Sequence, residues 1–254
     1  ERNKPPPYPV GVFYWAQTFY LRGNRIERSS AMRLNADFSE RVVIRPQDYD
    51  WQASPASGVE RMMLDRIGDE VARATTVVRF APGSRFDAHT HGGGEEFLVL
   101  EGVFSDETGD YPAGTYVRNP IGTSHTPHTD PGCTILVKLH QFDTEDRRQF
   151  HVDTGRATFV PGEAEGETVL PLHSAANEEV AVVRLEPGTR MIPEAPEGGC
   201  EIFVLEGVLQ DAGGDYPAGS WVRSPHGAEL ALRSDEGSVF YRKIGHLMPD
   251  AIPA

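Results

Sequence analysis

Three histidines and a glutamate lie at short, regular spacings in the first half of the chain. His89 and His91 are one residue apart, so in an extended segment their side chains lie on the same face. A glycine run at 92–94 then turns the backbone, and Glu95 begins a second apolar segment. Two imidazoles and a carboxylate that converge from neighbouring strands are suitable ligands for a divalent transition metal. His125, further along the chain, supplies a third imidazole.

These residues belong to two spaced patterns, G-x5-H-x-H-x3-E-x6-G from Gly83 to Gly102 and G-x5-P-x-G-x2-H from Gly114 to His125. Together they resemble the two motifs of the cupin superfamily, although the Asn that often closes the second motif is replaced by Thr129. The sequence around both motifs resembles, more narrowly, the cupin domain of the anti-sigma factor ChrR and its stand-alone relatives.

That resemblance implies an all-β fold of small double-stranded β-helix (jelly-roll) barrels. It also implies one divalent metal ion per chain with four ligands, His89, His91, Glu95 and His125.

The second half of the chain repeats the first. Residues 77–122 align without a gap to residues 182–227, 105 positions later, and the stretches VLEGV and DYPAG occur in both copies. A repeat of this length indicates two structural copies. The sequence therefore predicts two tandem cupin barrels, which is a bicupin.

The second copy lacks the candidate ligands. Its equivalent positions hold Glu194, Pro196, Cys200 and Leu230, so we expect the metal in the first barrel only. Residues kept in both copies are interpreted as scaffold, and these pairs are Gly102/Gly207, Pro120/Pro225, Arg118/Arg223, Glu96/Glu201 and the aromatic pair Tyr116/Trp221. The same comparison assigns the ligand role to Glu95 rather than to Glu96.

β-Branched and aromatic residues between Gly- and Pro-rich turns predict strands. In the first half these are 41–44, 59–64, 74–80, 97–104, 115–118 and 134–139. We expect three parts, namely an N-terminal extension at 1–31, the metal-binding barrel at 32–147 and a metal-free barrel at 148–254. Because Met32 opens a segment that resembles a native start, residues before it are expected to contribute little to the barrel or the site.

Composition excludes several classes of protein. The formal net charge of −14 disfavours nucleic-acid partners, which usually select basic surfaces. No apolar run approaches the ~20 residues of a membrane helix, so no membrane partner is expected. Two cysteines, Cys133 and Cys200, are too few for a disulfide framework and suit a reducing compartment, which favours a cytoplasmic location.

The other histidines and Cys200 are weaker candidates for functional residues. His128 follows His125 by three residues and could support the site or contact a ligand, whereas His140 is more typical of a structural histidine. Cys200 is interpreted as a small buried residue, with a redox-active thiol as the minor alternative. The remaining histidines have no partner visible in the sequence, and they are His151, His173, His226 and His246.

Three histidines and one carboxylate suit several metals, with Zn²⁺ or Fe²⁺ expected first and Mn²⁺ or Ni²⁺ as alternatives. Three functions follow: a metalloenzyme of the dioxygenase type with Glu95 as a candidate base, a non-catalytic zinc-binding sensor like the ChrR cupin, and a structural or sugar-binding cupin. The expected partner is a small-molecule ligand, and a homodimer is a candidate assembly. A sigma-factor partner is disfavoured, since this sequence does not contain the His and paired Cys ligands of that family's anti-sigma domain.

Overall fold

A computed structural model describes residues 31–69, 71–175 and 178–248. These ranges contain β-strands and one 3-10 helix, Pro46–Asp48, and none of their segments is a helix that could cross a membrane. All but the last residue of the predicted N-terminal extension lie outside the described residues.

In the first half the strands are β1 (Arg33–Leu34), β2 (Val42–Ile44), β3 (Gln52–Ala53), β4 (Val59–Ile67), β5 (Arg73–Phe80), β6 (His89–Thr90), β7 (Glu95–Asp106), β8 (Gly109–Pro112), β9 (Thr115–Asn119), β10 (Ser124–His125) and β11 (Cys133–Leu139). In the second half they are β12 (Phe150–Asp153), β13 (Val160–Pro161), β14 (Glu167–Ala175), β15 (Glu178–Leu185), β16 (Thr189–Arg190), β17 (Cys200–Asp211), β18 (Gly214–Pro217), β19 (Trp221–Ser224), β20 (Arg233–Ser234) and β21 (Ser238–Ile244).

The strands form two large antiparallel sheets with the same order. The first runs β1-β4-β5-β11-β7-β9-β12, and the second runs β13-β14-β15-β21-β17-β19-β2. Short strands complete each barrel on its other side, β6 with β10 in the first and β16 with β20 in the second. The predicted all-β fold of two tandem jelly-roll barrels is confirmed, and the predicted strands of the first half occur within a few residues of their expected bounds.

Each large sheet takes one edge strand from the other half of the chain. β2 precedes the first barrel's main strands but pairs with β19 of the second sheet, with Val43 opposite Val222. β12 follows the first barrel and pairs with its β9, with Val152 opposite Tyr116. The two barrels are therefore joined by backbone hydrogen bonds as well as by side-chain packing.

Side chains along the central strands point alternately to the two faces of the sheet, and the strands are apolar throughout because both faces are buried. In β7, Phe97 and Val99 point into the first barrel, whereas Leu98 packs between the barrels. In β17, Ile202 and Val204 fill the second barrel, and Phe203 joins Leu98 in the shared layer. Both faces of each large sheet are thus buried, which produces continuous apolar runs instead of the alternating pattern of a half-exposed strand.

A buried ionic network lies between the sheets. Lys138 of the first barrel binds Glu201 of the second, and Lys243 of the second binds Glu96 of the first. The two pairs are related by the same 105-residue repeat, so the contact is reciprocal. Burial raises the pKa of Glu201, but Lys138 and the neighbouring His246 outweigh burial and hold that pKa well below its ordinary value. The glutamates kept in both copies are therefore interbarrel anchors.

Steric contact with a neighbouring backbone segment explains why Gly102 and Gly207 occur at equivalent positions of the two copies. Gly102 and Gly207 adopt positive φ angles of 71° and 70°, and a Cβ there would lie 2.0 and 2.1 Å from the carbonyl oxygens of Gly132 and Gly237. Only glycine permits this close approach of two backbone segments in each barrel.

Candidate metal centre

The two motif segments are brought together by β6 and β10. These strands pair so that His89 lies opposite His125. His91 continues this pairing beyond the strand, since its N–H donates to the Thr123 carbonyl at 2.9 Å and its carbonyl accepts from Gly122 at the same distance. The three histidine ligands are thus placed by backbone pairing between the two motif segments rather than by free loops.

The glycine run between His91 and Glu95 packs tightly against a neighbouring segment. A Cβ on Gly93 would lie 2.1 Å from the His140 ring, and one on Gly94 would lie 2.3 Å from the Phe142 ring. The run therefore lets the turn lie flat against residues 140–142, which sets the separation between His91 and Glu95.

Four side chains converge at this point, and they are the four predicted ligands His89, His91, Glu95 and His125. One donor atom from each lies within 4.8 Å of all the others. The Nε2 atom of His125 is 3.2 Å from Nε2 of both His89 and His91. The Oε1 atom of Glu95 is 3.4 Å from His91 Nε2 and 3.6 Å from His125 Nε2. Donors bound to one ion at about 2.1 Å lie about 3.0–3.4 Å apart, so this set fits a single metal.

The hydrogen bonds around the cluster hold the three rings with their Nε2 atoms directed at its centre. Thr123 Oγ1 donates to the Pro120 carbonyl at 2.8 Å, so at 2.9 Å it accepts from Nδ1 of His91. Nδ1 of His125 lies 3.4 Å from a carboxylate oxygen of Asp106. Each of these rings therefore donates through Nδ1, which leaves Nε2 as the atom that can bind a metal.

His89 completes the pattern, because its Nδ1 lies 3.2 Å from the carbonyl oxygen of Asp87. Three imidazole Nε2 atoms and one carboxylate thus point at the same place, which is the arrangement that a bound cation requires. The donor set fits a divalent metal, with no proton needed to hold the cluster together.

The electrostatics of the site favour neutral imidazole and ionised carboxylate. Burial lowers the pKa of His91 to about 4, against a smaller opposing effect of Glu95. Burial raises the pKa of Asp106, but hydrogen bonds from His125 and Thr108 outweigh it and bring that pKa to about 2. At neutral pH the ligand His91 is therefore uncharged and Asp106 is an anion that polarises His125.

The site is buried on one side and open on the other. His91 and His125 are buried and Glu95 is half-buried, whereas His89 is exposed. An ion bound by these four residues would therefore lie near the surface, where a further ligand can approach along the His89 side.

Of the other titratable candidates, none that the structure describes joins the cluster. His128 contributes its backbone, which bonds to that of Ser105, and His151 lies with its ring 5.5 Å from that of Tyr111. His140 packs on the glycine run. His226 accepts from the Gly198 N–H, and the other two lie in the ionic network between the barrels, where His173 faces Asp146 and His246 binds Glu201.

Two supporting residues were not predicted from the sequence, Asp106 and Thr123. A signal existed for Thr123, since the second copy has Ala228 at that position. Asp106 has Asp211 as its equivalent, and comparison of the copies therefore assigns it to the scaffold. Its role at the site is visible only because the structure places it beside His125.

The equivalent positions in the second barrel contain no metal-binding set. Glu194 pairs with Leu230 through the backbone, as His89 does with His125. Cys200 and Leu230 are buried, and Glu194 forms an ion pair of 3.1 Å with Arg242. Burial raises the pKa of the Cys200 thiol far above its usual range, which argues against a reactive thiol. Both cysteines are free, as expected.

Comparisons with known proteins agree with this architecture. The family model for the ChrR cupin-like domain matches two segments, residues 39–143 and 147–248. A search of curated proteins finds no match.

Several solved structures share the fold at low identity. A candidate dioxygenase from Nostoc punctiforme is 13% identical, with a TM-score of 0.68 over 81% of this chain and 82% of its own. A candidate glyoxylate-induced protein from Pseudomonas aeruginosa is 15% identical, with a TM-score of 0.65 over 90% and 96%. A mutant of the oxalate decarboxylase OxdC from Bacillus subtilis is 14% identical, with a TM-score of 0.58 over 81% and 77%.

Proposed function

Because this chain belongs to the ChrR cupin-like domain family, which matches it in both halves, we propose that its first barrel binds one divalent metal ion and acts as a small-molecule metalloenzyme of the oxygenase type. The observation that carries this proposal is the convergence of three imidazole nitrogens and one carboxylate at an open edge of the barrel. His89, His91, Glu95 and His125 would hold the ion.

The supporting hydrogen bonds give each residue a defined task. Thr123 and Asp106 hold the rings of His91 and His125 with their Nε2 atoms directed at the centre of the cluster. Orientation of this kind reduces the reorganisation that metal binding would otherwise require. A redox-active or Lewis-acidic ion bound here would polarise or activate a small substrate.

Glu95 is suited to a second role as a base. Its Oε1 atom is 3.4 Å from His91 Nε2 and 3.6 Å from His125 Nε2, the Asn119 amide donates to it over a long 3.5 Å, and its side chain keeps 12% exposure. It is therefore less firmly fixed than the buried histidines and can turn to accept a proton from a substrate at the open face.

Two comparisons support the enzymatic reading over the structural one. The similar structure from Nostoc punctiforme is described as a candidate dioxygenase, and the Bacillus subtilis oxalate decarboxylase is described with Mn(II) centres. Among the metals considered, Fe²⁺ and Mn²⁺ suit oxygen chemistry, whereas Zn²⁺ suits a role without redox change.

The second candidate function is a non-catalytic zinc-binding module, and the family description favours it. In that role the four protein ligands would close the coordination of a tetrahedral Zn²⁺. The exposure of His89 favours the open alternative, because it leaves one side of the cluster accessible from solvent.

The two functions differ in whether an outside ligand reaches the ion. Metal contents would be measured after purification without added metal, and the protein would then be loaded with cobalt and titrated with azide. We expect azide to change the cobalt absorption spectrum. Oxygen uptake would be followed with the native metal across a panel of diketones, flavonols and thiols.

A Glu95→Gln variant serves as the matched comparison, since it keeps the shape of the side chain and removes its basicity. It should retain part of the metal and lose turnover. No spectral response to azide together with no oxygen uptake on any compound would reject the oxygenase and leave the zinc module.

A further inference from the structure

His140 adopts a backbone conformation that is unusual for its residue type. Its φ angle is 55°, in the left-handed region, which residues other than glycine adopt only at a cost in free energy. The equivalent residue of the second copy, 105 positions later, is Gly245, with a φ angle of 85°. Glycine tolerates this conformation, so the first copy keeps a strained side chain where the second copy has none. Backbone strain of this kind is concentrated at active sites and ligand sites.

The His140 ring lies against the turn that joins two of the candidate metal ligands, His91 and Glu95. A Cβ on Gly93 would lie 2.1 Å from Nδ1 of this ring. The backbone N–H of His140 also donates to the Gly94 carbonyl at 3.1 Å. Burial lowers the pKa of His140, so the ring packs against the turn without a charge.

The corresponding turn of the second copy has the same backbone contact but a different shape. Gly245 donates to the Gly199 carbonyl, again at 3.1 Å. With no side chain in between, this turn lies directly on the Gly245 backbone, since a Cβ on Gly198 would lie 2.3 Å from the Gly245 carbonyl oxygen. Gly198 has a left-handed φ angle of 70°, whereas its equivalent Gly93 is not in the left-handed region. The two turns therefore differ at the residue that the His140 ring contacts.

We propose that His140 is a positioning residue for the metal centre. Its ring supports Gly93 outside the left-handed region. This shape of the turn sets the separation at which His91 and Glu95 present their donor atoms, 3.4 Å between Nε2 and Oε1. The second barrel, which has no metal-binding set, has glycine at this position and avoids the strain. The inference rests on the metal-binding part of the proposed function and adds a residue that does not itself bind the ion.

Three variants separate the effect of the ring from the effect of the strain. His140→Gly removes both, and His140→Ala removes the ring but keeps the left-handed strain. His140→Phe is the matched comparison, because it keeps an uncharged flat ring. Metal affinity would be measured by competition with a chromophoric chelator, and stability by thermal unfolding of the metal-free proteins.

We expect His140→Gly and His140→Ala to weaken metal affinity about tenfold or more, and His140→Phe to stay close to the wild type. Metal-free His140→Gly should nevertheless unfold about 2–4 °C above His140→Ala, because glycine relieves the strain. Metal affinity that simply followed stability across the three variants would show a merely structural histidine and overturn the proposal.

The cobalt-loaded protein supplies a direct readout of geometry. At saturating cobalt, the absorption spectrum of His140→Gly should differ from that of the wild type, because the separation of His91 and Glu95 changes, whereas His140→Phe should keep the wild-type spectrum. Wild-type affinity and an unchanged spectrum in His140→Gly would overturn the positioning role and leave the metal centre intact. A wild-type protein that binds no metal would instead overturn the metal centre, and this inference with it.

Discussion

The two barrels share a scaffold and differ in what occupies the same interior position. In the first, His89 and Glu95 belong to a cluster of four donors that could hold a metal ion. In the second, Glu194 stands at the position of His89, and it is paired with Arg242 at 3.1 Å. The equivalent of Arg242 in the first barrel is the buried Val137. The second barrel thus supplies a guanidinium from its own chain near the position where the first is suited to a metal ion.

The comparison shows how the same barrel fold can either form a metal site or replace it with other side chains. The backbone pairing of the ligand strands is retained, with Glu194 opposite Leu230 as His89 is opposite His125. The side chains that would face the metal change, and a partly exposed ion pair together with the buried Leu230 takes their place. The interbarrel surface is instead conserved between the copies, because each barrel depends on the other there.

The largest expected effect concerns metal content. Wild-type protein should contain one metal ion per chain, and His91→Ala should reduce this nearly to zero, because three donors remain and the buried His91 position is lost. Pro196→Ala, the equivalent change in the second barrel, should leave the content at one. Elemental analysis of both variants decides the comparison, and two ions in the wild type would contradict it.

The next effect tests the reciprocal ion pairs. Lys138→Met should lower the free energy of unfolding by about 3–5 kcal/mol, because it leaves Glu201 buried without its main counter-charge. Lys243→Met should cost a similar amount through Glu96. The exposed Arg79→Met, which breaks a surface pair with Glu60, should cost less than about 1 kcal/mol.

Chemical denaturation measures all three values. A loss of less than about 1 kcal/mol in either lysine variant would show that its pair is not an anchor. A large difference between the two would show that the barrels do not depend on each other equally.

Much of this architecture follows from the sequence, for physical reasons. The repeat is ungapped from 77 to 122 because the strands and turns there must preserve the register of a barrel. In the structure the 105-residue offset continues to the last strands, where Cys133–Leu139 corresponds to Ser238–Ile244. The four candidate ligands were identifiable because the second copy lacks them.

The features that were not predicted depend on contacts between distant segments. A strand was expected at 41–44 and is present as Val42–Ile44, but nothing in its own residues indicates that it pairs with Trp221 and its neighbours across the interface. Residues 143–148 form a charged segment of the kind that usually lies in solvent, yet Asp146 in it is buried and bound to Arg118. The sequence indicates that a charged side chain is buried only when its counter-ion is known. That counter-ion comes from a distant segment and is identified only in the tertiary structure.

Metal removal should affect the two barrels unequally. A ligand present at about 100 times its dissociation constant stabilises the folded state by about 2.7 kcal/mol, and chelation removes that contribution. The loss should appear in the first barrel, where three lone pairs and a carboxylate are then left facing one another. Amide hydrogen exchange should show faster exchange in Phe97–Val99 and little change in Ile202–Val204. Equal loss of protection in both strands would argue against a metal confined to one barrel.

The smallest expected effect concerns an aspartate that both barrels keep. Asp106 and Asp211 occupy equivalent turns, and each accepts a hydrogen bond from a tyrosine, Tyr111 or Tyr216. Only Asp106 also lies beside a candidate ligand, His125, whereas Asp211 binds Arg41. We therefore expect Asp106→Asn to weaken metal affinity about 10–100-fold, because an amide holds the imidazole tautomer less firmly than a carboxylate does.

Asp211→Asn is the matched control for this change, since it alters the same turn in the barrel without a metal set. It should lower stability somewhat and leave metal affinity unchanged. Competition with a chromophoric chelator measures the affinity of both variants, and thermal unfolding measures the stability of each. If the two substitutions changed metal affinity equally, the effect would come from the turn and not from His125. If neither did, the shared aspartate would be scaffold in both barrels, as comparison of the two copies alone suggests.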